Sequence, residues 1–172
     1  QASQKDIKLI LTIDQNVPQH IFADAFRLKQ ILVNLISNAL KFTSIGEIRF
    51  EISTKNSENK NHAIIQFSVK DTGIGINKSI QKNIFNAFVQ EDTSTKRRFG
   101  GTGLGLTISN KLLALMNSAL ELESKKHEGS NFFFSIEVKN SDAHNKTHDI
   151  HIEYIESPQL LDITKILLAD VN

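Results

Sequence analysis

The chain has 172 residues, 40% of them hydrophobic, enough for one full core with some length to spare. A net charge of +1 provides no global field for nucleic acid or an anionic membrane, and no apolar run approaches the ~18 residues of a bilayer span. The absence of cysteine excludes disulfides and thiolate metal sites and fits a reducing cytosol; the opening QASQKD carries no signal peptide and reads as an entry from a longer polypeptide.

IKLILTI, from Ile7 to Ile13, predicts a short strand closed by the turn-like DQNVP. A helix follows, with Asp24 as its N-cap, because Ile31, Leu32, Leu35, Ile36, Ala39 and Leu40 recur at helical spacings. GEIRFEIST and AIIQFSVKD alternate apolar and polar residues and predict two antiparallel strands, with KNSENKNH as the hairpin loop between them. After DTGIGI come a short helix from Lys78 to Phe85, the polar stretch VQEDTSTKRRFGG, and a second helix from Leu104 to Met116. ALELES and NFFFSIEV predict two further strands, joined by a turn at KKHEG. These elements make one domain over residues 1–139. The polar, His-rich segment after it reads as a linker over residues 140–163. ITKILLADVN then opens like the first buried strand of a parallel sheet, so residues 164–172 are expected to begin a second domain.

Six of the eight glycines fall in two short stretches, DTGIGI and GGTGLGL, which marks backbone that turns sharply or approaches a ligand. Asn34 and Asn38, in NLISNALKFT, lie one helical turn apart on one face. Their carboxamide oxygens suit Mg²⁺, with Asn38 as the direct ligand and Asn34 lining the same site. Lys41, one turn onward, can reach phosphate oxygens. Asp71 ends a strand just before Thr72, Gly73, Ile74 and Gly75; a carboxylate there can accept a hydrogen bond from the exocyclic amine of adenine. Gly101, Gly103 and Gly105 precede a helix whose N-terminal N–H groups favour a triphosphate. Lys96, Arg97 and Arg98 lie just upstream and can close over the phosphates to stabilise charge during transfer. Phe85 and Phe88 are expected to pin the base of that loop by packing. Taken singly, each segment also fits a structural role: buried asparagines capping backbone groups, an ordinary strand-end turn, or a solvated basic loop.

Taken in order, NLISNALKFT, DTGIGI, IFNAFVQ and GGTGLGL resemble the asparagine, first glycine, phenylalanine and second glycine boxes of sensor histidine kinases, over roughly Ile7 to Val138. The resemblance implies a Bergerat fold: an α/β (α+β) two-layer sandwich with a mixed, mostly antiparallel sheet, about three helices on one face and a mobile lid over ATP. It further implies that Asn38 holds Mg²⁺, Lys41 meets phosphate, Phe42 lies near the nucleotide and Asp71 reads adenine. Gly73 and Gly75 would pass close to the base, and Ile76 and Phe88 would also belong to the nucleotide site. Gly101, Thr102, Gly103, Leu104, Gly105 and Leu106 would border the phosphates. Where ATPase relatives carry a glutamate that activates water, this chain has Asn34, which cannot act as a base. A kinase that holds ATP for an incoming imidazole is therefore expected, ahead of an ATPase of the gyrase and Hsp90 type or a non-catalytic nucleotide-sensing module.

The family's phosphoacceptor histidine sits upstream of this domain on a dimerising helix pair, and none of the six histidines here has that context. His20 and His62 are assigned to loops, His127 to a turn, and His144, His148 and His151 to the linker. The expected partners are therefore that histidine-bearing dimerisation domain and a receiver domain or response regulator, in the cytoplasm. ILLADVN is similar to the opening of receiver domains, although Val171 replaces the second acid and Asp170 matches the first, so a hybrid kinase is expected. Asn117 and Ser118 stand where the family commonly has a glycine pair, which predicts an altered turn.

Overall fold

Strand alternation decides which side of the sheet holds the core. In the computed structural model, which describes residues 6–18, 20–55, 62–87, 103–139 and 152–154, the first strand is Ile7–Ile13 (β1), and Leu9 and Leu11 point into the core. A helix, Ala25–Phe42 (α1), leads to Gly46–Lys55 (β2), where Ile48, Phe50 and Ile52 are buried. Along His62–Asp71 (β3) the buried positions are Ile65, Phe67, Val69 and Asp71. The chain continues through a short helix, Lys78–Gln81 (α2), and a longer one, Gly105–Ala114 (α3). Glu121–Lys125 (β4) and Gly129–Lys139 (β5) follow, and β5 buries Phe132, Phe134, Ile136 and Val138. A last strand, Ile152–Tyr154 (β6), lies within the segment read as linker.

The sheet order is β4-β5-β3-β2-β1-β6, with β1 and β2 parallel and the other neighbours antiparallel. This is the mixed, mostly antiparallel sheet expected, with helices on its apolar face. α1 is the main cover, burying Leu28, Ile31, Leu32, Leu35, Ile36 and Ala39. Its start follows the predicted cap: Asp24 Oδ1 accepts the Arg27 N–H at 3.0 Å. Beneath it, the rings of Phe67 and Phe134 stack with centroids 5.2 Å apart.

Some boundaries differ from expectation. The helix predicted over Lys78 to Phe85 keeps α-helical form to Gln81, then continues in three-residue turns, with Asn83 N bonding Ile80 O and Asn86 N bonding Asn83 O, both at 2.9 Å. Asparagine competes poorly for helix interiors, and Phe85 is drawn against the core. His62 is the first residue of β3 rather than part of the loop, with Nδ1 3.7 Å from Glu137 on β5. Residues 56–61 of the hairpin loop and the histidines at 144, 148 and 151 lie outside the described residues.

The turn after α3 retains left-handed geometry despite lacking glycine. Asn117 has φ 55°, its N–H bonds Ala114 O at 3.2 Å, and the Ser118 N–H bonds Leu113 O at 2.9 Å. This is the Schellman pattern, with asparagine in the position usually held by glycine. Ser118 Oγ also donates to Ser135 O at 2.6 Å, tying the turn to β5. Asn117→Gly should therefore leave stability within about 0.5 kcal/mol, whereas Asn117→Val, β-branched in a left-handed position, should cost roughly 1–2 kcal/mol. Urea unfolding of both variants reads the difference.

Candidate nucleotide site

Asp71 is buried by the parity of its strand. It follows Ile65, Phe67 and Val69 at steps of two, so its carboxylate faces the core side at the sheet's end and is 6% exposed. Its Oδ1 accepts the Gly73 N–H at 2.8 Å, and the backbone of Ser130, its register partner on β5, bonds the carboxylate as well. Burial pushes the Asp71 pKa above the ordinary carboxylate value, while the two backbone bonds pull it back down. Desolvation wins that contest.

The loop after Asp71 is fixed from below. The Ile74 N–H bonds Phe42 O at 3.3 Å, linking this loop to the end of α1, and the His127 N–H bonds Ile74 O at 2.7 Å. Gly75 has φ +62°, and a Cβ there would collide with the Lys125 carbonyl, so this position requires glycine on both grounds. Ile76, partly buried against the core, gives its N–H to Ser124 Oγ at 2.9 Å. Ser124 Oγ donates to Gly129 O at 2.9 Å and, its single proton thus used, accepts from Ser130 Oγ at 3.0 Å. Gln81 Nε2 closes the set, donating to Ile76 O at 2.8 Å and Ser124 O at 2.9 Å. Ser124, Ser130 and Gln81 were not singled out from the sequence. The available signal was Ser130 on the inward parity of a strand that otherwise buries Phe132 and Phe134.

On the other side of the site, α1 presents Asn34, Asn38 and Lys41 along one flank. Asn34 Nδ2 donates to Ser109 Oγ of α3 at 2.9 Å, and Ser109 is 2% exposed. A Cβ on Gly105 would overlap Asn34 Oδ1, so glycine at the first residue of α3 lets that helix end close on α1. The sequence had placed Asn34 in the site but gave no partner for it; Ser109, four residues after Gly105, is that partner. Asn38, half-buried one turn further on, makes no corresponding side-chain bond among the described residues. Lys41 Nζ lies 5.1 Å from the centre of the Phe42 ring, so both residues share the end of α1 beside the Gly73 loop.

Gly103 and Leu104 lead into α3, whose N-cap is Leu104 with no side-chain cap bond. Leu104 therefore offers no capping side chain to the first-turn N–H groups of α3, and none of the described residues supplies one. Leu106 packs against the core, and Thr107 Oγ1 donates to Phe85 O at 3.0 Å, joining the start of α3 to the segment before the basic loop. Phe88, Arg97, Arg98, Gly101 and Thr102, with Lys96, lie outside the described residues. The described residues therefore bring together a buried carboxylate, a glycine loop, a carboxamide flank and an uncapped helix N-terminus at one end of a two-layer sandwich. Such a combination defines a nucleotide-binding domain.

Comparison with known proteins gives this class its family. Residues 23–140 match the family described as histidine kinase-, DNA gyrase B-, and HSP90-like ATPase, and the chain belongs to it. It is 40% identical over 137 residues, 80% of its length, to signal transduction histidine-protein kinase BarA of Escherichia coli (strain K12). It is 33% identical over 173 residues, 99% of its length, to autoinducer 2 sensor kinase/phosphatase LuxQ of Vibrio harveyi. Full-length ShkA, crystallised in complex with AMPPNP, superposes with a TM-score of 0.68 at 34% identity over 83% of the chain. The chain spans 15% of BarA, 20% of LuxQ and 28% of the ShkA chain, so it corresponds to one ATP-binding domain of larger histidine kinases.

The raised pKa of Asp71 has a defined consequence for stability. The folded protein holds this proton more tightly than the unfolded chain, so the contribution is complete below the ordinary carboxyl value of 3.8 and is lost as pH rises through the higher folded value. Asp71→Asn removes this term. Urea unfolding from pH 3.5 to 7 should show the variant gaining stability relative to the parent as pH rises, and a constant difference would contradict the assignment.

Proposed function

We propose that residues 1–139 form the catalytic, ATP-binding domain of a hybrid sensor histidine kinase, which holds ATP with Mg²⁺ for transfer of the γ-phosphoryl group to a histidine on a separate dimerisation domain. In that step an imidazole nitrogen forms a bond to the γ-phosphorus, the bond from phosphorus to the β–γ bridging oxygen breaks, and ADP departs. Asp71 accepts the hydrogen bond of the adenine amine, with Gly73, Gly75 and Ile76 against the base and Phe42 beside it. The N-terminus of α3, from Gly103 to Leu106, receives the phosphates, with Lys41 and, from the basic loop, Arg97 and Arg98. Phe88, Gly101 and Thr102 complete the border. The half-buried carboxamide of Asn38 fits a hard, oxygen-seeking cation that keeps several waters and binds through phosphates. Bound there, magnesium would neutralise charge on the phosphate oxygens.

The observation that carries this reading is the closure of α3 on α1, where Asn34 bonds Ser109 and lies against Gly105, so that the start of α3 packs on the α1 flank that also carries Asn38. Asn34 also sets the chemistry. Its amide is neutral, has no proton-accepting nitrogen and is already committed to Ser109, so water gains no general base from it. ATP therefore waits for an imidazole, which is nucleophilic when neutral. Residues 140–163 would link this domain to a receiver that begins at residues 164–172, where Asp170 and Val171 stand in place of a pair of acids. No described helix is long and apolar enough to cross a membrane.

Calorimetric titration with ATP and ADP, with and without Mg²⁺, tests the assignment. Asn38→Ala should remove most of the metal-dependent gain in ATP affinity, roughly tenfold or about 1.4 kcal/mol, and leave ADP binding without metal unchanged. Asp71→Ala should weaken ATP and ADP alike. Unaltered binding in both variants would place the site elsewhere, and brisk steady-state phosphate release from the unmodified chain would restore the ATPase reading.

A further inference from the structure

The two edges of the sheet differ in how they are protected. β4, at one edge, is five residues long, and Glu121, Glu123 and Lys125 alternate along it. Charges on a short strand are a common device against foreign pairing. β1, toward the other edge, is longer and carries a single charge, Lys8, among Ile7, Leu9, Ile10, Leu11 and Ile13. An uncovered strand of that composition would invite another chain.

It is covered by β6. Ile10 pairs with Tyr154, Leu11 with Glu153 and Thr12 with Ile152, antiparallel. Ile10 alternates with Leu9 and Leu11 and so faces away from the main core cluster, yet it is 8% exposed. Its register neighbours are Arg49 on β2 and position 154 on β6. The local sequence agrees, since Ile150, Ile152 and Tyr154 recur at alternate positions.

Direction gives the pairing a consequence. β6 runs from Thr12 back toward Ile7, and Leu9 is level with Ile48, which is itself paired with Asp71. The C-terminal end of β6 therefore points toward the end of the sheet that carries Asp71. We propose that the free side of β1 is a strand-accepting edge that this chain fills with its own residues 152–154, tethering whatever follows to the nucleotide end of the domain. Resting here on the proposed boundaries, the tether shortens the stretch between the sheet and residue 164 from residues 140–163 to residues 155–163. At ~3.4 Å per residue its maximum span falls from about 80 Å to about 30 Å. A three-residue pairing is weak enough to open, so β1 can exchange this strand for another.

The chain has no native cysteine, which allows a direct test by disulfide trapping in the full 172 residues. Thr12→Cys with Ile152→Cys joins register partners, whose Cα atoms in an antiparallel pair are ~4.5–5.5 Å apart, within disulfide range. Lys8→Cys with Ile152→Cys is displaced by four residues, roughly 13 Å, and serves as the control. The register pair should oxidise at least about tenfold faster, and equal rates would overturn the proposal. Separately, replacing Ile152, Glu153 and Tyr154 with proline should speed amide exchange in Ile10–Thr12 by roughly tenfold and leave β3 and β5 unchanged. Unchanged exchange in β1 would also overturn it. Neither readout involves nucleotide, so failure here leaves the ATP assignment standing, and failure of that assignment leaves the pairing of β6 with β1 standing.

Discussion

The rotation of α1 about its own axis is the constraint on which the site depends. Six side chains, from Leu28 to Ala39, are buried on one stripe, and burying each of the larger ones contributes about 1.5–3 kcal/mol. The Asn34–Ser109 bond contributes on the order of 1 kcal/mol. Packing therefore sets the helix angle and the polar contacts follow it. At about 100° per residue, the stripe leaves Asn34, Asn38 and Lys41 on one neighbouring flank, where Asn34 meets the start of α3. The carboxamides need no separate positioning device, because the core already supplies it.

Asp71 follows a different economy. Its burial is unfavourable to the charged form, and two backbone N–H groups recover part of the loss without restoring the ordinary pKa. The side chains of Ser124, Ser130 and Gln81 direct their hydrogen bonds to the Ile76 backbone, to Gly129 O and to one another, holding the loop rather than neutralising the acid. In the proposed function the adenine amine completes what the protein leaves partly unmet. Rigid support from below with an incompletely satisfied group above is the arrangement a selective base pocket requires.

Much of this was legible in the sequence, for physical reasons that differ by element. α1, β2, β3 and β5 each repeat one period over several turns or alternations, so their type and buried face could be read directly. Asp24 could be read as a cap because capping is local. Elements whose form depends on distant partners were harder. The stretch after Gln81 loses α-helical form as asparagines and the packing of Phe85 intervene, and His62 joins β3 because β5 offers it a ladder. Ser109 shows its role only when α1 and α3 meet. β6 was read as linker because its short alternation lies within a polar, His-rich stretch; the open side of β1 decides its state. At Asn117 the expected alteration gave way to a side chain that tolerates the left-handed region. The basic loop, with Arg97 and Arg98, lies outside the described residues and remains an assignment from sequence.

The burial of Asp71 by strand parity also governs which length changes the domain can absorb. Residues added to the connection between β2 and β3 leave the phase of β3 untouched, provided the pairing of Ile48 with Asp71 is kept. An insertion of one residue between Phe67 and Asp71 would turn the acid to the opposite surface unless a bulge took it up, whereas two would preserve its side. Odd and even insertions are thus unequal in β3, and the position of this buried acid is encoded as much by counting as by chemistry.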